Sequence, residues 1–338
     1  MSDRRVQNEA YSMGMKIAIL MALAISASAI PATAQQKGKV WRIGVFGTAP
    51  ERVQGVFVEP LRGGLRDAGY VDGRNIVLDV RFGDANPSRI RAIATEFVRS
   101  DVDVIVALGG AAAQAVWKVS KTIPIVTGFA ANLVGGGMVA SIAKPGGNVT
   151  GMTTRSWDLV AKWLQLTKEI VPEATRVAVL FNPSSGFQRT SIEHLKSAAA
   201  RIGVTIQEVP VLAPGEFEGA FAAMARAHAD ALIMLPGRVT GGNRRQLIAL
   251  ANKGKIPAMC WRRGLARLGC LMSYGANRAQ MVRRSASFVS RILRGAKAAD
   301  LPIEQPTRYQ FVLNLKTAKA LGITFPPSIL LRATEVIE

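Results

Sequence analysis

Glycines, hydroxyls, amides and aromatics recur at the ends of successive apolar runs in this chain. They form Phe46-Gly47-Thr48, Gly109-Gly110-Ala111-Ala112, Gly128-Phe129 through Asn132, Asn182-Pro183-Ser184-Ser185, Pro236-Gly237-Arg238, Trp261-Arg262-Arg263 and Ser273-Tyr274-Gly275. The chemistry open to such groups is recognition: backbone N–H groups for a carboxylate, amides and hydroxyls for polar atoms, and a flat ring for an apolar body. Bond-making is poorly served. There is no convergent carboxylate pair, no Gly-x-Ser-x-Gly elbow, no lysine in a phosphate-loop frame and no histidine at any of these ends. The expected ligand-binding set is therefore Phe46, Gly47, Thr48, Gly110, Ala111, Phe129, Asn132, Asn182, Ser184, Gly237, Arg238, Trp261 and Tyr274, with no catalytic residue, metal ligand or cofactor. A tight βα turn explains any one glycine cluster taken alone; repetition at strand ends carries the functional reading.

The remaining reactive side chains are few. His194 falls off the Ile192-Leu195-Ala199 stripe and is expected in solvent, whereas His228 continues the Phe217-Phe221-Met224 stripe and is expected to pack at a helix end. Trp163 and Trp117 sit at helical spacing and read as core. Asn148-Val149-Thr150 fits a glycosylation triplet but reads as a turn. Two cysteines exclude a multi-disulfide scaffold and Cys/His zinc modules. If Cys260 ends one strand and Cys270 begins the next parallel one, they stand at opposite edges of a sheet, beyond the roughly 7 Å limit for a bridge. Two buried thiols are expected, with a bridge as the less favoured alternative.

The elements that must position these groups alternate. Trp41-Phe46, Asn75-Arg81, Val102-Leu108 and Ile123-Thr127 read as strands separated by helix-period stretches, among them Pro87 to Ser100 with Asn86 as its cap. The rhythm restarts after Gly146-Gly147-Asn148-Val149-Thr150-Gly151, with strands at Arg176-Phe181, Val204-Val209, Ala231-Leu235, Ile256-Cys260 and Cys270-Ser273. This predicts an α/β chain of two doubly wound parallel-sheet lobes, about five strands each, with ligands bound outside the carboxyl ends of the strands. The glycine-rich stretch at 146 to 151 is the expected first crossing. A helix from about Asn277 to Leu293 and a Tyr309-Leu315 strand allow further crossings, hence a multi-strand hinge. The expected division is 40–149 plus 274–300 for one lobe and 150–273 plus 304–338 for the other.

Residues 1–34 read as a signal peptide, with cleavage expected after Ala34. A basic start precedes the uncharged run Ile17 to Ile30 and then Ala32-Thr33-Ala34, and the run is too short for a membrane span. An exported, periplasmic product follows. With 43 Lys+Arg against 23 Asp+Glu the formal charge is +20, and about +19 remains after cleavage. Such charge makes nucleic acid an obvious rival partner, but the basic residues are scattered, no nucleic-acid motif is present, and export separates the protein from the chromosome.

In order along the chain, Gly63-Gly64-Leu65-Arg66 through Gly69-Tyr70-Val71-Asp72-Gly73-Arg74-Asn75-Ile76, Lys144-Pro145-Gly146-Gly147-Asn148-Val149-Thr150-Gly151, Ala178-Val179-Leu180-Phe181-Asn182-Pro183, Leu271-Met272-Ser273-Tyr274-Gly275 and Leu313-Asn314-Leu315-Lys316-Thr317-Ala318-Lys319-Ala320-Leu321-Gly322 resemble the TrpX-like substrate-binding proteins of bacterial ABC importers. The resemblance spans nearly the whole mature chain. It implies a two-lobed type I periplasmic-binding-protein fold that hands a small ligand to a membrane permease; a monomer is expected. The chain departs from the family where Asn132-Leu133 replaces Asp-Pro, where Gly109-Gly110-Ala111-Ala112 replaces a Gly-Thr-Pro-Ala-like turn, and where Gly237-Arg238 replaces an acidic residue after Leu-Pro. Two potential partners for an ammonium group are absent, and arginines stand at 238, 262 and 263. An anionic or neutral polar ligand is expected. The alternatives are an exported α/β enzyme, disfavoured because Gly44-Val45-Phe46-Gly47 lacks a dinucleotide frame, and a ligand-binding sensor subunit.

Overall fold

The computed structural model describes residues 39–131, 133–154 and 157–338; the expected signal segment and Asn132 lie outside the described residues. Two sheets organise the chain. The first has the order β2-β1-β3-β4-β5, comprising Trp41–Gly47 (β1), Ile76–Phe82 (β2), Val104–Ala107 (β3), Ile125–Ala130 (β4) and Val149–Thr153 (β5), all parallel. Apart from the edge strand β2, its strands are largely apolar and mostly buried on both faces, as helix-covered parallel strands must be. Ile43, Val45, Val104 and Val106 share one core with Leu61, Leu65, Phe288 and Val289 from helices Val58–Asp67 and Arg278–Leu293. Phe46, Ile105 and Ala107 share another with Phe97, Ala112 and Val116 from helices Pro87–Arg99 and Gly110–Val119. The Asn86 side chain accepts hydrogen bonds from Ser88 N and Arg89 N at 2.9 and 3.1 Å, capping its helix as the sequence predicts.

The second sheet repeats the plan and extends it. Arg176–Phe181 (β6), Thr205–Pro210 (β7), Ala231–Met234 (β8), Ala258–Cys260 (β9), Met272–Ala276 (β10), Tyr309–Asn314 (β11) and Glu335–Ile337 (β12) run in the order β12-β11-β10-β9-β8-β6-β7. Five of these strands match the first sheet position for position. The expected quota of about five is exceeded because the tail adds β11, antiparallel to β10, and then β12, parallel to β11. One contiguous core fills this lobe, with Trp163, Leu195, Phe217, Met224 and Leu247 packed around the β6 to β9 strands.

The crossings differ from expectation in two respects. Gly146, at φ 73°, makes a turn that leads into β5 on the edge of the first sheet, so the chain leaves that sheet after Thr153 rather than within 146–151. Similarly, Tyr274 belongs to a strand of the second sheet, and the next passage falls between Ala276 and Arg278. The third passage is held by β5: Thr153 N donates to Glu304 O and Glu304 N donates to Gly151 O, both at 2.9 Å. From there the chain runs on to Tyr309. The chain thus passes between the sheets three times.

The cysteines are bridged, which corrects the expected pair of free thiols. Cys260 and Cys270 form a disulfide with their Cα atoms 6.4 Å apart. The expectation assumed a full crossover between long strands. Instead β9 has three residues, and its connection to β10 contains only the single-turn helix Arg263–Ala266, so the chain returns beside Cys260. His228 also departs from expectation: it is exposed at φ 54°, in the left-handed residue that ends its helix, while His194 is exposed as predicted.

Candidate functional site

In both sheets the strand order reverses at one place, between β1 and β3 in the first and between β6 and β8 in the second. Loops leaving neighbouring strands there turn to opposite faces of the sheet and open a crevice at their carboxyl ends. A buried glutamine spans each opening. Gln54 accepts from Ala49 N and donates to Leu108 O, both at 2.7 Å, tying the β1 loop to the end of β3. Gln188 accepts from Asn182 N and donates to Pro236 O at 2.9 Å, tying the β6 loop to the β8 loop. A Cβ on Gly47 would stand 2.7 Å from Gln54 Oε1, and one on Gly237 would collide with Gln188 Nε2, so a glycine is needed beside each amide. Sequence reasoning missed both glutamines, because a lone Gln in a helix carries no signal until the topology places it across a switch point.

The carboxyl ends of the two sheets meet at Arg278. This residue opens the helix Arg278–Leu293, whose cap Asn277 accepts from Gln280 N at 3.2 Å. Its guanidinium carbon lies 4.7 Å from the centre of the Phe129 ring near the end of β4, and that ring packs against Phe57 at 4.9 Å. On the other side Arg278 feels the charge of Arg262, the second residue after β9. Arg278 is half-exposed yet densely surrounded by protein, the situation of a side chain on a concave wall. Burial, and secondarily the Arg262 charge, lowers its pKa to about 10. Burial and then Arg244 lower that of Arg262. Both guanidinium groups remain charged at neutral pH. Arg262 Nε is buried without a hydrogen-bond partner, and among the described residues no carboxylate pairs with either arginine.

The expected site residues divide accordingly. Gly47, Thr48 and Gly110 border the first switch point, and Asn182, Ser184, Gly237 and Arg238 border the second, with Ala111, Ser184 and Arg238 exposed. Asn182 uses its side-chain oxygen to accept from Ser184 N at 2.8 Å, leaving its NH₂ for other partners. Phe129 and Trp261, both largely buried, lie at the ends of β4 and β9 on either side of the arginines. Phe46 is a correction: its ring is fully buried edge-on against Phe97, because strand alternation turns it under the helix Pro87–Arg99, so only its backbone borders the loops. Tyr274 stands apart, stacked on Tyr309 at 5.4 Å in a groove shared with Lys162 and Arg332. Its backbone carbonyl accepts from Trp163 Nε1 at 2.7 Å, which makes Trp163 the core residue expected. Asn132 lies outside the described residues.

A groove of about 500 Å³ bordered by Trp41, Asp103, Thr122, Asn148 and Lys297 lies at the opposite, amino ends of the first sheet's strands. No helix N-terminus of the βα units points there, so it is a poorer place for a solute. Among the described residues no group of acidic, histidine and cysteine side chains could hold a metal ion.

Two doubly wound lobes with their strand ends turned to one crevice define the architecture of type I periplasmic binding proteins. Residues 48–337 match the family model for ABC transporter substrate binding protein, and the chain belongs to that family. A tyrosine-binding protein of Clostridioides difficile is 27% identical over 259 residues, which cover 77% of this chain and 74% of the relative. The crystal structure of a conserved domain protein from Vibrio cholerae superposes with a TM-score of 0.79 at 29% identity, covering 88% of this chain and 100% of that one. An ABC domain from Streptococcus pneumoniae, in complex with L-Trp, also gives 0.79, at 24% identity over 88% and 99% of the two chains.

Proposed function

We propose that this protein is the solute-capturing component of an ABC importer, working in the periplasm after removal of residues 1–34 and presenting its closed, loaded form to a membrane permease. The observation that carries this reading is the pair of glutamine-clamped switch points whose loops, one set from each lobe, open on the crevice at Arg278. A ligand touching both loop sets stabilises the closed arrangement of the lobes, and closure requires only that the three passages between them bend. The described groups bind and orient; none forms the nucleophile and base of a covalent mechanism. The family's substrate-binding members, including the tyrosine-binding relative and the protein crystallised with L-Trp, support a small ligand that carries a carboxylate.

Native mass spectrometry of protein exported by a Gram-negative host tests this. One small molecule per chain, recovered at unchanged mass after denaturation, is the expected result. A turned-over product, or a chain that retains its first 34 residues and stays in the cytoplasm, contradicts it.

A further inference from the structure

The crevice has an electrostatic character that the substrates named for the relatives do not share. A zwitterionic amino acid needs an acceptor for its ammonium group as well as donors for its carboxylate. The charges that act on Arg262 and Arg278 are positive: Arg278 feels Arg262, Arg244 adds to the field at Arg262, and Arg238 stands at the mouth of the β8 loop. Two acidic side chains on neighbouring elements are committed, Glu304 to Arg284 and Glu335 to Arg263 and Arg267. Like charges crowded into a partly desolvated wall repel, and a buried guanidinium Nε with no acceptor carries an unmet desolvation cost. Both costs vanish when an anion binds between the two groups. The Arg278 guanidinium is held over the Phe129 ring, itself backed by Phe57.

We infer that Arg262 and Arg278 together bind the anionic group of the solute, and that the solute is a small organic carboxylate with no ammonium group, its apolar body seated beside Phe129 and Trp261. The inference rests on the binding-protein reading and narrows its ligand. One arginine comes from each side of the crevice, so the anion would bridge the lobes and itself drive closure. A planar carboxylate suits two guanidinium forks better than a point anion does.

Matched pairs of probes that differ only in the amine give the test. The full mature chain is titrated calorimetrically with indole-3-propionate against L-tryptophan, 3-(4-hydroxyphenyl)propionate against L-tyrosine, and succinate against L-aspartate. At least one amine-free member is expected to bind at least ten-fold tighter than its amino acid. Arg278→Gln and Arg262→Gln should each weaken that binding roughly ten- to hundred-fold, while Arg263→Gln, on the outer side of the same loop, leaves it unchanged. Circular dichroism of each variant separates lost binding from lost folding, and Arg278→Lys, which keeps the charge, should recover part of the affinity. Tight binding of an amino acid, unaffected by either glutamine variant, overturns the inference and leaves the binding-protein reading standing. Binding of no probe, together with no small molecule carried by the exported protein, overturns both.

Discussion

At the scale of single residues, the site is set by side chains that never need to touch a solute. Gln54 and Gln188 each satisfy one backbone donor and one backbone acceptor across a strand reversal, where no ladder partner exists for them. Gln188→Ala leaves Asn182 N and Pro236 O without those partners and should lower unfolding stability by about 1–3 kcal/mol, read from urea midpoints. Gly237→Ala should cost a similar amount by displacing the same amide; an unchanged midpoint in both variants would remove the clamp from the account. The disulfide closes a short loop around the end of β9. Replacing Cys260 and Cys270 together by alanine is expected to lower stability by about 2–3 kcal/mol, and labelling of the unfolded, unreduced protein should find no free thiol. The residues that escaped the sequence did so for definable reasons. Arg278 reads as the ordinary first residue of a helix, and only the fold shows its contact with Phe129, a residue 149 positions earlier in the chain. Phe46 reads as a strand-end aromatic, and only the register with β3 shows which face it takes.

Element by element, the alternation of strand and helix was legible because each piece carries its own punctuation: Asn86 before Pro87, Asn277 before Arg278, and Gly322 at φ 70° after Leu321. What lacked punctuation was misplaced. Nothing local distinguishes the last strand of one sheet from the first strand of the next, so the glycine-rich stretch at 146 to 151 reads as the crossing although β5 closes the first sheet. The three-residue β12 has too little length for a periodic signal. The contact that attaches the returning helix Arg278–Leu293 to the first lobe is written in the Gly63-Gly64 pair. A Cβ on Gly64 would meet the Arg283 carbonyl and approach Ala286 Cβ at 2.8 Å. Gly64→Ala should therefore push these helices apart and cost about 1–3 kcal/mol, visible as a lowered melting temperature. At the far edge, Glu335 joins β12 to Arg263 and Arg267. The Arg263 hydrogen bond, opposed by burial and reinforced by Arg267, holds its carboxyl below the ordinary value. Its contribution is complete above the unfolded carboxylate pKa of about 4.3 and is lost as pH falls through the depressed folded value. Glu335→Gln should flatten the loss of stability across that acidic window, measured as urea midpoints stepped downward in pH. An unaltered acid limb would place the linkage on other carboxylates.

For the molecule as a whole, the repeated plan explains why recognition is shared between lobes. Each half brings one reversal of strand order, one glutamine clamp and one strand-end aromatic, so neither half encloses a solute alone. The tail that adds β11 and β12 enlarges the second sheet, while the helix Arg278–Leu293 returns to the first, and the chain is thereby tied across the crevice three times. The net charge of +20 is distributed in two ways. Most basic groups are exposed, several of them in surface ion pairs that contribute little to stability. Among the described residues Arg262 and Arg278 face the crevice without a carboxylate partner. The proposed function requires one solute to be gripped by both lobes at their carboxyl strand ends. Amide hydrogen exchange, with and without the tightest probe from the matched titrations, decides whether it is. Protection should rise together in the loops at 47–49 and 109–111 of the first lobe and at 182–185 and 237–238 of the second. Protection confined to one lobe, or appearing instead around Thr122, Gly147 and Lys297 at the amino ends, would contradict it.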